Sequence, residues 1–136
     1  MSHCFNYRVS PADTDAGGIV YYVNYLKIAE RAREALFAEH ALDAASLGDL
    51  TDPLQLTVSS CEVKYIASAR LGDEISVVTT CAVLDRERLR LSQQVFAGKN
   101  LLVRLEIGLA CIALATKQAR PLPVQIKPLF DNVIAN

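Results

Sequence analysis

The chain has 136 residues, 14 Lys+Arg against 15 Asp+Glu, and 51% hydrophobic residues. That length fits one domain with a real core, and it leaves no room for two lobes around a cleft. A formal net charge of -1 offers no basic footprint for DNA, RNA or an anionic membrane, so nucleic-acid binding is not expected.

The opening segment MSHCFNYRVS is polar and alternating, without the apolar stretch of a secretory signal. No run of about 18 apolar residues marks a membrane span. The longest apolar-rich stretch, Leu101 to Ala115, is interrupted by Arg104 and Glu106. A cytoplasmic location is therefore expected. Cys4, Cys61, Cys81 and Cys111 form no CxxC pair, and His3 and His40 are the only histidines. Clustered ligands for zinc are lacking, and the cysteines read as reduced, buried small hydrophobes.

In chain order, residues 5–10 alternate Phe5, Tyr7 and Val9 with Asn6, Arg8 and Ser10, the period of a half-buried strand. PADTDAGG at 11–18 follows as a loop of turn formers. From Ile19 to Leu47 there is neither Gly nor Pro. Tyr25, Ile28, Ala29, Ala32 and Leu36 share one arc of about 100° on a helical wheel, while Lys27, Glu30, Arg31 and Glu34 lie opposite. One long amphipathic helix is predicted over about residues 23–40. Ala29 and Ala32 on its buried face would let a curved sheet approach closely. Asp43 reads as the N-cap of a short turn through Leu47.

Beyond Pro53 the chain becomes rich in Val, Ile, Leu and Thr. Strands are predicted at Leu54 to Tyr65, Glu74 to Leu84, Leu89 to Phe96 and Leu101 to Ala115. The short turns between them imply antiparallel pairing of successive strands. After Pro121, Pro123 and Pro128, a last helical turn is expected from Leu129 to Ile134. The predicted class is α+β, a single domain over 1–136 with one helix against an antiparallel sheet.

The sequence contains no GxSxG elbow, P-loop or GxGxxG. His3 reads as part of a frayed terminus and His40 as a helix end, so neither suits a buried general base. The segment Ala12-Asp13-Thr14-Asp15-Ala16-Gly17-Gly18-Ile19-Val20-Tyr21-Tyr22 holds the remaining chemistry. Two carboxylates precede a Gly-Gly pair that lets a backbone approach a ligand, and a helix N-terminus with unpaired N–H groups follows. These parts suit acyl transfer, in which a carboxylate attacks or activates water and N–H donors hold an oxyanion. From spacing alone, Asp13 and Asp15 read first as caps of a turn or of the helix.

Asp13-Thr14-Asp15-Ala16-Gly17-Gly18-Ile19-Val20-Tyr21, then Asn24-Tyr25 and Glu30-Arg31-Ala32-Arg33, resembles the signature of hot dog-fold acyl-CoA thioesterases. The likeness is to the 4-hydroxybenzoyl-CoA thioesterases and to the thioesterases encoded beside the Tol–Pal genes. It continues through Glu62-Val63-Lys64-Tyr65 and Ala69-Arg70-Leu71-Gly72-Asp73 to Arg120-Pro121-Leu122-Pro123.

This resemblance implies a helix wrapped by a curved antiparallel sheet, and a homodimer or homotetramer whose sheets join edge to edge. It implies catalytic roles for Asp15, as nucleophile or general base, and for the backbone N–H of Tyr22, where many Tol–Pal-type members carry His. It implies hydrolysis of acyl-CoA to a carboxylic acid and free CoA, with no metal or redox cofactor. Gly17 and Gly18 would border the substrate. Arg86, Arg88 and Lys117, with Arg90 and Arg120 beside them, are candidates for the CoA phosphates, although each also reads as a solvated surface charge. Glu30 reads as a helical partner of Lys27 or Arg33 or as an interface residue. Within the resemblance, Cys111-Ile112-Ala113-Leu114 and the Pro-Leu-Pro tail are similar to dihydroxynaphthoyl-CoA thioesterases. A non-catalytic acyl-CoA or acyl-carrier-protein binding module is the alternative. A dehydratase would need a catalytic histidine.

Overall fold

The computed structural model describes residues 2–83 and 85–129. Strand β1 (Ser2–Arg8) leads through a short 3-10 turn (Pro11–Asp13) to helix α1 (Asn24–Ala38) and helix α2 (Ala44–Gly48). Strands β2 (Leu54–Tyr65), β3 (Glu74–Val83), β4 (Arg88–Ala97) and β5 (Asn100–Ala113) follow. The helix falls within its predicted bounds at 15 residues. Asp43 caps α2, its carboxylate accepting from the Ser46 N–H at 3.4 Å and hydroxyl at 2.7 Å. The helical turn expected at 129–134 lies, beyond Leu129, outside the described residues, as does Leu84.

The strands form one antiparallel sheet in the order β1-β3-β4-β5-β2. This departs from pairing of all successive strands. Segment 66–73 is a crossover that carries the chain from β2, at one edge, to β3 near the other. Strands β3, β4 and β5 do meander as their short turns require.

The inner face of the sheet alternates Val77, Leu91, Val95, Leu105, Ile107 and Leu109 toward α1, all buried. Ala29 and Ala32 are fully excluded from solvent, so the helix backbone sits close on the sheet. Three buried polar side chains meet within this layer. The Gln93 amide donates to the Ala29 carbonyl at 3.0 Å and the Thr79 hydroxyl at 3.1 Å, and its oxygen accepts from Arg33 at 3.0 Å. Burial holds the Arg33 guanidinium below its usual range, against the opposing pull of Glu30. Arg33 is thus a core residue rather than a surface partner of Glu30.

Cys81 and Cys111 are buried as expected, whereas Cys4 and Cys61 are exposed, since they occupy the two edge strands. Burial lifts the Cys81 thiol to about 11, which keeps it protonated and unreactive. His3 is not frayed: it lies within β1, its imidazole 3.3 Å from Glu39 at the end of α1.

Candidate active site

The crossover positions the loop that carries both aspartates. Val20 donates to the Ala69 carbonyl at 3.0 Å, Leu71 donates to that of Gly18 at 2.9 Å, and Ile19 bridges Arg70. Thr14 bridges Val20, and the Asp15 N–H donates to the Ile19 carbonyl at 2.9 Å, closing a tight hairpin over Ala16-Gly17-Gly18. Its last residue, Gly18, has φ of 76°, the left-handed position such three-residue loops require.

The two aspartates do different work. Asp13 faces the protein: one carboxylate oxygen accepts from the Tyr7 hydroxyl at 2.7 Å, the Ser10 N–H at 2.8 Å and the Ser10 hydroxyl at 2.9 Å. Partial burial pushes this carboxyl up, but those donors outweigh it and hold it below the usual carboxylate range. The Asp13 carbonyl also accepts from the Tyr21 N–H at 3.0 Å and the Asn24 side chain at 2.8 Å, which ties the hairpin to the first residue of α1. Asp13 is therefore a structural cap.

A carboxylate depressed in the folded state stabilises above its unfolded value, near 3.9, and that contribution fades as pH falls through the folded value. Asp13→Asn should cost about 1 kcal/mol at pH 7, less than a fully buried charged hydrogen bond because solvent screens this half-exposed group. Urea unfolding at pH 7 and pH 3 should find the gap between wild type and variant narrowing at pH 3. An unchanged gap would contradict the assigned role.

Asp15 faces outward. Its Oδ1 accepts from the Gly17 N–H at 2.9 Å and the Ile19 N–H at 3.2 Å, and among the described residues Oδ2 has no partner. A Cβ on Gly17 would stand 3.3 Å from Oδ1, so glycine there lets the carboxylate settle onto the backbone. Both readings of Asp15 meet here, because one oxygen caps the turn while the other remains available.

Helix α1 begins with Val23 as N-cap, without a side-chain cap or an acidic residue in its first turn. Neither aspartate caps this helix. Among the described residues, the N–H of Tyr22 has no acceptor. The Tyr65 hydroxyl donates to the Tyr22 carbonyl at 3.0 Å, and its ring stands edge-on to Tyr22 at 5.9 Å. The Tyr25 hydroxyl accepts from the Ala69 N–H at 2.8 Å. These tyrosines, with Val20 and Ile66, line a cleft of about 180 Å³ beside the helix start. Tyr65 has no assigned role in the sequence signature, because its contact spans 43 residues and no local pattern encodes it.

The basic candidates lie elsewhere. Arg86 lies in the β3–β4 turn and Arg88 begins β4, 3.7 Å from Asp85. The Leu122 N–H donates to the Arg86 carbonyl, the Arg120 N–H to that of Cys111, and Arg120 pairs with Asp52 at 3.2 Å. Lys117 donates to Gln55 at 3.1 Å. These residues gather at the sheet end where β2 and β4 begin, whereas the Asp15 hairpin adjoins the end where β2 and β4 finish. The separation along β2 is about 35 Å. Gly17 and Gly18 thus accompany Asp15, and Arg86, Arg88 and Lys117 do not. Glu30 is exposed and has no ion pair among the described residues.

Residues 9–130 match the family model described as the thioesterase-like superfamily. The chain is 31% identical over 124 residues to an acyl-CoA thioester hydrolase, YbgC, of Escherichia coli, covering 90% of this chain and 91% of the relative. It is 25% identical over 116 residues to a 1,4-dihydroxy-2-naphthoyl-CoA hydrolase of Microcystis aeruginosa, covering 85% and 83%. A crystal structure of a Synechocystis 1,4-dihydroxy-2-naphthoyl-CoA thioesterase superposes with a TM-score of 0.88 at 23% identity, covering 98% of each chain. At that identity the superposition speaks for the hot dog fold alone.

Proposed function

This chain belongs to the thioesterase-like superfamily, and we propose that it hydrolyses acyl-CoA thioesters with Asp15 as the catalytic carboxylate. The supporting observation is the split environment of Asp15: Oδ1 is anchored by two backbone N–H groups, and Oδ2 is free and exposed. Names of relatives over nearly the whole chain point to the same substrate class.

Asp15 either attacks the thioester carbon or takes a proton from a water that does so. The carbonyl oxygen gains negative charge, which the Tyr22 N–H and the positive end of α1 are suited to stabilise. Collapse of the tetrahedral species expels the CoA thiolate, which takes up a proton. The direct-attack route leaves an acyl anhydride on Asp15, and water then hydrolyses it. The Tyr22 N–H shares a peptide plane with the Tyr21 carbonyl, which accepts from the Asn24 N–H at 2.8 Å and so fixes the direction of that donor. A thioester is activated already, so this reaction requires little beyond a placed carboxylate and a donor.

The active unit is a dimer on this reading. Strand β2 is a 12-residue edge without proline, and Val58 and Tyr65 along it are 49% and 45% exposed. An uncovered edge of this kind invites pairing. Antiparallel pairing of two β2 edges brings the start of one strand beside the end of the other, so the partner subunit's Lys117 and Arg88 approach the Asp15 hairpin. That would unite groups lying at opposite ends of one protomer and supply cations for the CoA phosphates. A homotetramer of two such dimers and a cytoplasmic location complete the reading.

The test is free-thiol release over a panel of acyl-CoAs and acyl-carrier-protein thioesters. Turnover of acyl-CoA is expected; tight binding without thiol release would instead make the protein a binding module.

A further inference from the structure

Three hydrogen bonds close a triangle between the Asp15 hairpin and the start of α1. The Asp13 carbonyl accepts from the Tyr21 N–H at 3.0 Å, and the Tyr21 carbonyl accepts from the Asn24 N–H at 2.8 Å. The Asn24 side-chain amide donates back to the Asp13 carbonyl at 2.8 Å. One corner, Asp13, belongs to the arm that carries Asp15. One side contains the Tyr21–Tyr22 peptide, and with it the Tyr22 N–H. The Asp13 corner is itself held in place, because its carboxylate accepts from Tyr7 in β1 and from Ser10.

Two sides of the triangle are backbone bonds, and only the third depends on a side chain. Asparagine at a helix start ordinarily caps the helix, its Oδ1 accepting a backbone N–H. Asn24 does otherwise. It stands one position inside Val23, α1 has no side-chain cap, and the amide donates to a carbonyl 11 residues back. Alanine, a better helix former, would serve the helix at least as well.

The fold has a separate brace at this place. The Ala69 N–H donates to the Tyr25 hydroxyl at 2.8 Å, and the Ala69 carbonyl accepts from the Val20 N–H at 3.0 Å. Tyr25 and Ala69 are both buried, so the helix stays packed on the crossover without help from Asn24. Loss of the third side leaves the elements in place and turns the bond between Asp13 and Tyr21 into a pivot. What changes is the placement of the Asp15 arm relative to the Tyr22 N–H.

We infer that Asn24 is a positioning residue, whose side chain sets the Asp15 carboxylate relative to the Tyr22 N–H without touching the reacting atoms. This rests on the roles proposed above for Asp15 and Tyr22. The carboxylate must reach the thioester carbon while the N–H meets the carbonyl oxygen, and a misplacement of about 1 Å costs up to about 100-fold in rate.

Wild type, Asn24→Ala and Asn24→Asp are compared by thiol release, using the acyl-CoA of the panel that wild type hydrolyses fastest. Both variants should lose about 10- to 100-fold in kcat, with KM within about twofold of wild type. Melting temperatures should stay within about 5 °C, and light scattering should show an unchanged oligomer. Asn24→Asp keeps the shape of the side chain, removes its donor, and adds a charge that the N-terminus of α1 favours. A residue serving stability alone would leave this variant as stable and as fast as wild type. The new charge also raises the proton affinity of Asp15, an effect that fades as pH rises from about 6 to about 9. A positional loss instead persists across that range and matches the loss in the uncharged Asn24→Ala.

Wild-type kcat in either variant, a raised KM with kcat unchanged, or a deficit in Asn24→Asp that vanishes at the upper pH overturns the inference while the thioesterase reading stands. So does a fall of about 10 °C or more in melting temperature, which makes the side chain structural. Normal turnover by Asp15→Asn, or no thiol release by wild type from any acyl-CoA, overturns both.

Discussion

Asp15→Asn should lower kcat for acyl-CoA hydrolysis by about 10³-fold or more, with little change in KM. The substitution is nearly isosteric. An asparagine Oδ1 still accepts from the Gly17 and Ile19 N–H groups, so the hairpin and its bonds to Gly18, Val20 and the crossover remain. What is lost is confined to the outward oxygen, which becomes an amide that neither attacks a carbonyl nor takes a proton. Thermal unfolding and light scattering should match wild type, within about 0.5 kcal/mol for stability. Near-normal turnover would end the assignment of Asp15. A large fall in stability would instead reduce it to a cap, the same role that Asp13 fills.

The second large effect concerns the fold. Gln93→Leu removes the acceptor for Arg33 and leaves a guanidinium buried between helix and sheet without its partner. The Ala29 carbonyl and Thr79 hydroxyl lose their donor in the same step. The expected cost is about 2–4 kcal/mol, the range for orphaning a charge that keeps slight contact with water. Thermal unfolding at fixed protein concentration should fall by roughly 10 °C. Adding Arg33→Leu should restore much of the loss, because the uncompensated charge goes with it. A neutral Gln93→Leu, or a double variant worse than the single, would show that the buried trio contributes nothing specific.

The legible features were those written at short range. Apolar spacing every three to four residues placed α1, and the alanines at 29 and 32 announced the close sheet. Asp43 with Ser46 three residues on announced the cap of α2. Alternating Val, Leu and Ile placed β2 to β5 within a residue or two of their bounds. The Asp-x-Asp-x-Gly-Gly segment drew attention to its loop, and its likeness to thioesterases gave Asp15 a role where spacing alone favoured a cap.

Tertiary structure decided whatever depends on groups distant along the chain. The crossover at 66–73, read as a turn, carries the chain from β2 at one edge to β3 beside β1 at the other, a pairing set by partners far apart in sequence. Arg33 looked like surface charge until a glutamine 60 residues away met it inside the core. Asp13 and Asp15 are equivalent in a sequence, yet a hydrogen-bond network with Tyr7 and Ser10 turns one inward, and two backbone N–H groups leave the other facing out. The chain by itself determined which residues could carry acyl-transfer chemistry, since residue type sets reactivity. Folding alone decided which of them remain free to use it and which lie together, since burial and hydrogen bonding belong to neighbours in space.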